Sequence, residues 1–274
     1  MREGQPSATA LGAARHRALH QDLEGGAVFR DPLAWAILGI DRAAVLASVG
    51  DDPNRALRLF IAARHRFAED RARAAIADGC SQVIVLGAGL DTFAHRVSGT
   101  GVTAFEVDHP ATAAWKRDRL HDAGIVEGPH VRHVTVDFER DDLLDALHAG
   151  GVDATERVVV MWLGVVPYLS RDAVAATLNA LGTMHCEVVA DYRAPLSADA
   201  DDTARQRASL LEERTASVGE PLSEPLDPLQ MRELLDAAGF VTVDDLDRSA
   251  IRSRLLGLPP VGGAGGAHIV AAST

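Results

Sequence analysis

From Gly79 onward, apolar positions fall into short β-branched runs separated by amphipathic stretches of helical length. The runs at 82–86, 102–107, 131–136, 157–163, 187–191, 241–246 and 268–272 read as strands. The spacing predicts helices over 110–123, 141–148, 171–181 and 228–238. Strand–helix alternation of this kind specifies an α/β fold with a mostly parallel, doubly wound sheet. The last two runs break the rhythm. The segment before the final strand, 257–266, is rich in Gly and Pro and reads as a loop, so these strands are expected to pair as an antiparallel hairpin at one edge.

Residues 6–78 follow a different pattern, with apolar positions at helical intervals such as Leu57, Phe60, Ile61, Phe67 and Ala68. Asp31 and Pro32 supply a helix start with proline at its first position. Residues 1–78 are therefore expected to form a helical cap on the same domain as 79–274. Within the latter, 197–226 is polar with helical spacing at Leu210 and Leu211, which suits either a lid insertion or a solvated surface helix.

Composition narrows the function. The net charge is −12, against the dense cationic footprint that nucleic acid requires. The charge is uneven: residues 1–78 carry 11 Arg and 10 acids, or +1, which leaves −13 on the remaining 196 residues. The longest apolar run, 158–169, is too short to cross a bilayer, and residues 1–14 lack a basic segment followed by an apolar core. A cytoplasmic protein with no membrane partner is the expectation. Cys80 and Cys186 cannot form a disulfide framework and read as core residues. The 11 histidines are scattered without metal-ligand spacing, so no metal is expected.

The strongest local feature is 83–92, a buried strand running into Gly87-Ala88-Gly89 with Asp91 and Thr92 after it, ahead of an expected helix. Glycines let a ligand approach the backbone at the carboxyl ends of such a sheet. Glu106 and Asp108 end the next strand, 19 and 21 residues after Gly87, where an acid can bind ribose hydroxyls. A dinucleotide places its pyrophosphate at this turn, where the Asp91 carboxylate would repel it. S-adenosyl-L-methionine has no phosphate and carries cationic amino and sulfonium groups, so the residues favour it, with a dinucleotide as the alternative. Asp91 is equally suited to capping a helix. Asp137, at the end of the third strand, can accept from an adenine amino group while the Phe138 ring covers its face. Alone, they would read as a helix cap and a core residue.

Together these residues resemble the leucine carboxyl methyltransferase-like family of class I S-adenosylmethionine-dependent methyltransferases. The resemblance rests on Ala63-Arg64, 86–92, 105–110, 136–138 and 162–169. It implies a Rossmann-like class I methyltransferase fold with seven strands. It also implies that Arg64 holds the donor's carboxylate, Gly87, Ala88 and Gly89 pass its methionine part, Asp108 binds ribose, and Asp137 with Phe138 frames adenine. One departure stands out. The family commonly has Glu in the fourth-strand motif where this chain has Leu163, which leaves only a backbone contact to the donor there.

The expected activity is methyl transfer to a carboxyl or hydroxyl oxygen of a small molecule, a specialised metabolite such as a polyketide, with S-adenosyl-L-homocysteine as product. Two alternatives stand beside it: a protein C-terminal carboxyl methyltransferase, and a donor-binding protein that no longer methylates, the latter motivated by Leu163. Tyr168 follows the fourth strand and Asp191-Tyr192-Arg193 closes the fifth. Arg193 is the candidate for pairing with an acidic substrate group, and Tyr168 or Tyr192 for orienting the acceptor. Packing tyrosines and a surface arginine are the plainer readings of the same residues.

Overall fold

The computed structural model describes residues 7–50, 54–198, 200–261 and 265–274. Residues 1–6, the start of the expected cap, lie outside the described residues, as do 51–53, residue 199 of the expected lid and 262–264 of the expected loop.

The central sheet has seven strands, β1 (Gln82–Leu86), β2 (Thr103–Asp108), β3 (Val131–Thr135), β4 (Val158–Trp162), β5 (Cys186–Ala194), β6 (Thr242–Leu246) and β7 (Gly266–Ser273). Their order is β3-β2-β1-β4-β5-β7-β6. The first five run parallel, and β7 is antiparallel to both β5 and β6. All five residues of β1 and of β4 are buried, as central parallel strands covered on both faces require. Ile84, Leu86, Val158, Val160 and Trp162 enter the core on one face, and Val83, Val85, Val159 and Met161 enter it on the other. The edge strand β6 instead carries Asp244 and Asp245, charges of the kind that discourage further strand pairing.

Helices α1 (Ala8–Leu23), α2 (Ala34–Leu38), α3 (Arg42–Val49) and α4 (Arg55–Ala77) precede β1. The expected cap is only part of their arrangement, because α4 lies along one face of the sheet. Ala63, Ala68, Ala72 and Ala75 of α4 are buried against Val83, Val85 and Met161, and their small side chains permit close helix–sheet approach. Asp31 has two roles: its Oδ1 accepts from the Leu33 amide at 3.0 Å in the turn leading into α2, which begins at Ala34, and its Oδ2 is buried beside Arg17 at 2.6 Å. Helices α5 (Pro110–Asp122), α6 (Leu143–Ala149), α7 (Arg171–Gly182) and α9 (Pro228–Ala237) follow the expected spacing, and α8 (Asp202–Ser217) occupies the proposed insertion. A short helical segment, 248–255, lies in the connection from β6 to β7.

Arginines of the first quarter are joined internally and to the rest of the chain. Arg58 reaches Glu24 at 2.7 Å, Arg71 reaches Glu187 at 2.5 Å, and Arg64 reaches Asp191 at 2.8 Å. The uneven charge thus becomes a set of contacts between α4 and the acidic sheet. No helix of the described residues is long and apolar enough to cross a membrane.

Candidate active site

A cavity of about 780 Å³ opens at the carboxyl ends of β1 to β5, with α1 and α8 over it. Its lining includes all twelve expected site residues: Arg64, Gly87, Ala88, Gly89, Asp91, Asp108, Asp137, Phe138, Leu163, Tyr168, Tyr192 and Arg193. Shared lining is not shared availability, and their hydrogen bonds separate them.

The glycine turn is fixed from both sides. Gly87 and Gly89 have φ of 63° and 46°, in the region that disfavours side chains. A Cβ on Gly87 would sit 2.2 Å from Val165 Cγ2, and one on Gly89 would sit 3.1 Å from the Ala10 Cβ of α1. The close approach these glycines permit is therefore made in part by the loop after β4 and by α1. The helix expected after the turn is a short 3₁₀ segment, Phe93–Arg96. Asp91 Oδ1 accepts from the Phe93 amide at 2.7 Å, and Oδ2 lies 3.3 Å from His65 Nε2. Burial opposes its charge, but His65, Arg17 and Lys116 outweigh burial and hold the carboxyl far below its usual range.

Asp108 Oδ2 accepts from the Gly89 amide at 2.5 Å and Oδ1 from the His109 amide at 2.7 Å. Burial nevertheless raises its pKa, the two amides offsetting only part of that effect. Glu106, the other acid of β2, does not line the cavity. It is buried against Lys116 at 2.7 Å, with His95 and His133 nearby.

Arg64 is buried, and its Nη1 donates to Asp191 Oδ2 at 2.8 Å. Asp191 Oδ1 accepts from the Gly164 amide at 2.6 Å. Strand register explains this join: Trp162 is opposite Ala190, so Leu163 and Asp191 follow side by side at the ends of β4 and β5. Leu163 is half-buried and packs on the α4 side of the core. The carboxylate absent at position 163 is thus present one strand away, on Asp191. Arg64 Nε is buried without a hydrogen-bond partner, an orphan donor in the cavity wall.

Asp137 accepts from the Glu139 amide at 3.1 Å, and Phe138 packs against the core beside it. Tyr168 is half-buried; burial pushes its phenol above the usual range, and Thr9, Arg64, Glu220 and Asp191 surround it. Tyr192 is otherwise engaged. Its hydroxyl donates to Asp245 Oδ2 at 2.5 Å and stands 3.2 Å from His268 Nδ1, and burial together with Asp245 keeps it protonated. Arg193 donates to Glu212 of α8 at 2.6 Å and to the Ser223 carbonyl at 2.7 Å, so its charge is matched within the insertion.

Two features had no local signal. Glu220 accepts from the amides of Ala8 and Thr9 at 2.9 and 3.0 Å, and from the hydroxyls of Ser7 and Thr9 at 3.1 and 2.5 Å. It joins the segment after α8 to the start of α1 over the cavity. His16 of α1 and Arg214 of α8 also line the cavity. Among the described residues no group of three or more His, Cys, Asp or Glu could hold a metal ion.

Two solved structures share the fold. A duf574 family protein from Streptomyces avermitilis aligns with a TM-score of 0.57 at 16% identity, covering 98% of each chain. A protein from Thermobifida fusca, provisionally named a methyltransferase, gives 0.57 at 16% identity over 100% of this chain and 97% of that one. Among curated sequences, a Streptomyces coelicolor protein provisionally named an S-adenosyl-L-methionine-dependent methyltransferase is 38% identical over 189 residues. That match covers 65% of this chain and 66% of the relative. A Frankia alni protein with the same kind of name is 35% identical, over 65% of this chain and 64% of its own. The matches thus span about two thirds or less of these relatives' lengths. The leucine carboxyl methyltransferase family model matches residues 10–182, which takes in most of α1, all of α4, the glycine turn, Asp108, Asp137 and the β4 motif, and the chain belongs to that family.

Proposed function

We propose that the protein transfers a methyl group from S-adenosyl-L-methionine to an oxygen of a small molecule. The observation that carries this reading is the acidic character of the glycine turn and strand ends. Asp91, Asp108, Asp137 and Asp191 line one cavity, and the turn leads into a four-residue 3₁₀ segment rather than a long helix whose dipole would draw a pyrophosphate. Such a floor suits a cationic amino group and sulfonium, and it disfavours a dinucleotide.

S-adenosyl-L-methionine, when bound, supplies a methyl group on a sulfonium. Arg64 is assigned its carboxylate: Asp191 holds the guanidinium in place while the orphan Nε remains to donate. Asp108 is assigned the ribose, since each of its oxygens accepts one amide and retains capacity for another donor. Asp137 and Phe138 are assigned adenine. Gly87, Ala88, Gly89 and the Leu163 backbone shape the channel between these groups. Tyr168, kept protonated by burial, is the donor placed to orient an acceptor oxygen. A carboxylate acceptor needs no base, so positioning and exclusion of water by α1 and α8 would carry much of the rate.

The cover formed by α1 and α8, and by the Glu220 join between them, supports a small acceptor over the C-terminus of a protein. Membership of a carboxyl methyltransferase family supports oxygen as the methylated atom, and we extend this to the carboxyl or hydroxyl group of a specialised metabolite such as a polyketide. A crystal soaked in S-adenosyl-L-homocysteine tests the site. The adenosyl group is expected beside Asp108 and Asp137 and the carboxylate beside Arg64; the ligand bound elsewhere would overturn these assignments.

A further inference from the structure

Beyond the glycine turn the cavity continues between three helices. Leu57 and Phe60 of α4, Leu211 of α8 and Val218 just after it give it an apolar wall, interrupted by His16 of α1 and Arg214 of α8. Other cavity arginines are matched: Arg64 by Asp191 at 2.8 Å, Arg193 by Glu212 at 2.6 Å and Arg17 by Asp31 at 2.6 Å. Arg214 makes no ion pair among the described residues. His16 Nδ1 is buried with no hydrogen-bond partner. Burial, then Arg58, Arg214, Arg15 and Arg64, push the His16 imidazole down to about 4. Burial, the larger cause, disfavours charge of either sign, whereas the share contributed by the arginines, Arg214 among them, favours an anion at the same wall. The cavity is therefore bipolar, with carboxylates at the strand ends and, at its solvent-exposed rim on α8, the Arg214 guanidinium.

We propose that, granted the donor site assigned above, Arg214 selects acceptors that are apolar molecules bearing an anionic group, a handle distinct from the oxygen that is methylated. An anion paired with a guanidinium is a weakened nucleophile, so the group that Arg214 holds is better suited to recognition than to attack. The hydrocarbon lies on Leu57, Phe60, Leu211 and Val218, and a second oxygen is left to face Tyr168. Arg214 thus takes the part that sequence spacing suggested for Arg193.

Fluorescence titration with 6-hydroxy-2-naphthoate and its neutral counterpart 2-naphthol tests this, using protein with and without saturating S-adenosyl-L-homocysteine. The naphthoate is expected to bind about tenfold or more tightly than the naphthol, from the strength of a charge-assisted pair. Arg214→Gln should erase that preference while changing naphthol affinity by no more than about twofold. Circular dichroism melting serves as the folding control. Equal affinities in the wild type, a preference that survives in Arg214→Gln, or no saturable naphthoate binding would each overturn the assignment. Loss of S-adenosyl-L-homocysteine binding alone, with the naphthoate preference intact, would instead count against the donor reading.

Discussion

Asp108 combines two tasks that a single carboxylate can meet. Its oxygens accept the Gly89 and His109 amides at 2.5 and 2.7 Å, fixing the turn, and retain lone pairs facing the cavity. Asp108→Asn replaces one acceptor oxygen by a donor, so S-adenosyl-L-homocysteine affinity should fall about tenfold, the cost of one lost charge-assisted bond; unchanged calorimetric affinity would remove the ribose assignment. Arg193→Ala should differ. Because Arg193 is bound to Glu212 and the Ser223 carbonyl, the substitution should leave donor affinity intact and loosen the insertion. The contrast explains what was legible at this scale. Asp108 lies in a compact motif next to the turn it serves. Tyr192 and Arg193 sit in an equally suggestive motif, yet Asp245, 53 residues on, and Glu212, 19 residues on, determine what those side chains do.

At the level of elements, α1 is fastened at its start. Ser7 caps it by accepting from the Ala10 amide at 3.0 Å, and the Glu220 carboxylate accepts from the Ala8 and Thr9 amides, where a negative charge also suits the helix dipole. Glu220→Gln removes the charge and one acceptor oxygen. Hydrogen exchange should then rise about fivefold or more in the first turn of α1 and in 218–223, from a loss of roughly 1 kcal/mol, while β1 and β4 stay protected. Uniform exchange in both proteins would show that Glu220 does not fasten the helix. Strands were the most legible elements, since β1 and β4 are continuous apolar runs that only a doubly covered sheet accommodates. The α1–Glu220 join was not legible, because its partners are more than 200 residues apart and neither carries a pattern. The length of the helix expected after the glycine turn was not legible: the Asp91 side chain turns back to the Phe93 amide and starts a four-residue 3₁₀ segment.

Buried histidines and paired buried carboxylates make the stability of the whole molecule depend on pH in two windows. His16 has its pKa lowered from 6.5 to about 4 by burial and by neighbouring arginines. The unfolded chain therefore binds a proton that the folded chain refuses, and stability should fall as pH drops from about 6.5 toward 4. His20 is lowered for the same first reason, burial, and adds to this window. Below about pH 4 the sign rests on carboxylates. Asp31, Asp91 and Glu106 are held below their usual values against burial by Arg17, His65 and Lys116 respectively, so their stabilisation is lost as they protonate. Thermal melting from pH 7 to 3 should show both declines, and His16→Gln should shrink the first to the part that His20 contributes without altering the second. A melting temperature level between pH 6.5 and 4.5 would contradict this account.

The central claim, that the acidic strand-end cavity holds a sulfonium donor, is tested most directly by calorimetric titration of the folded protein with S-adenosyl-L-methionine, with NAD titrated in parallel. The account predicts saturable one-to-one binding of S-adenosyl-L-methionine, weakened in Asp108→Asn, and no saturable binding of NAD. Binding of NAD in preference to S-adenosyl-L-methionine, or no binding of S-adenosyl-L-methionine at all, would contradict it.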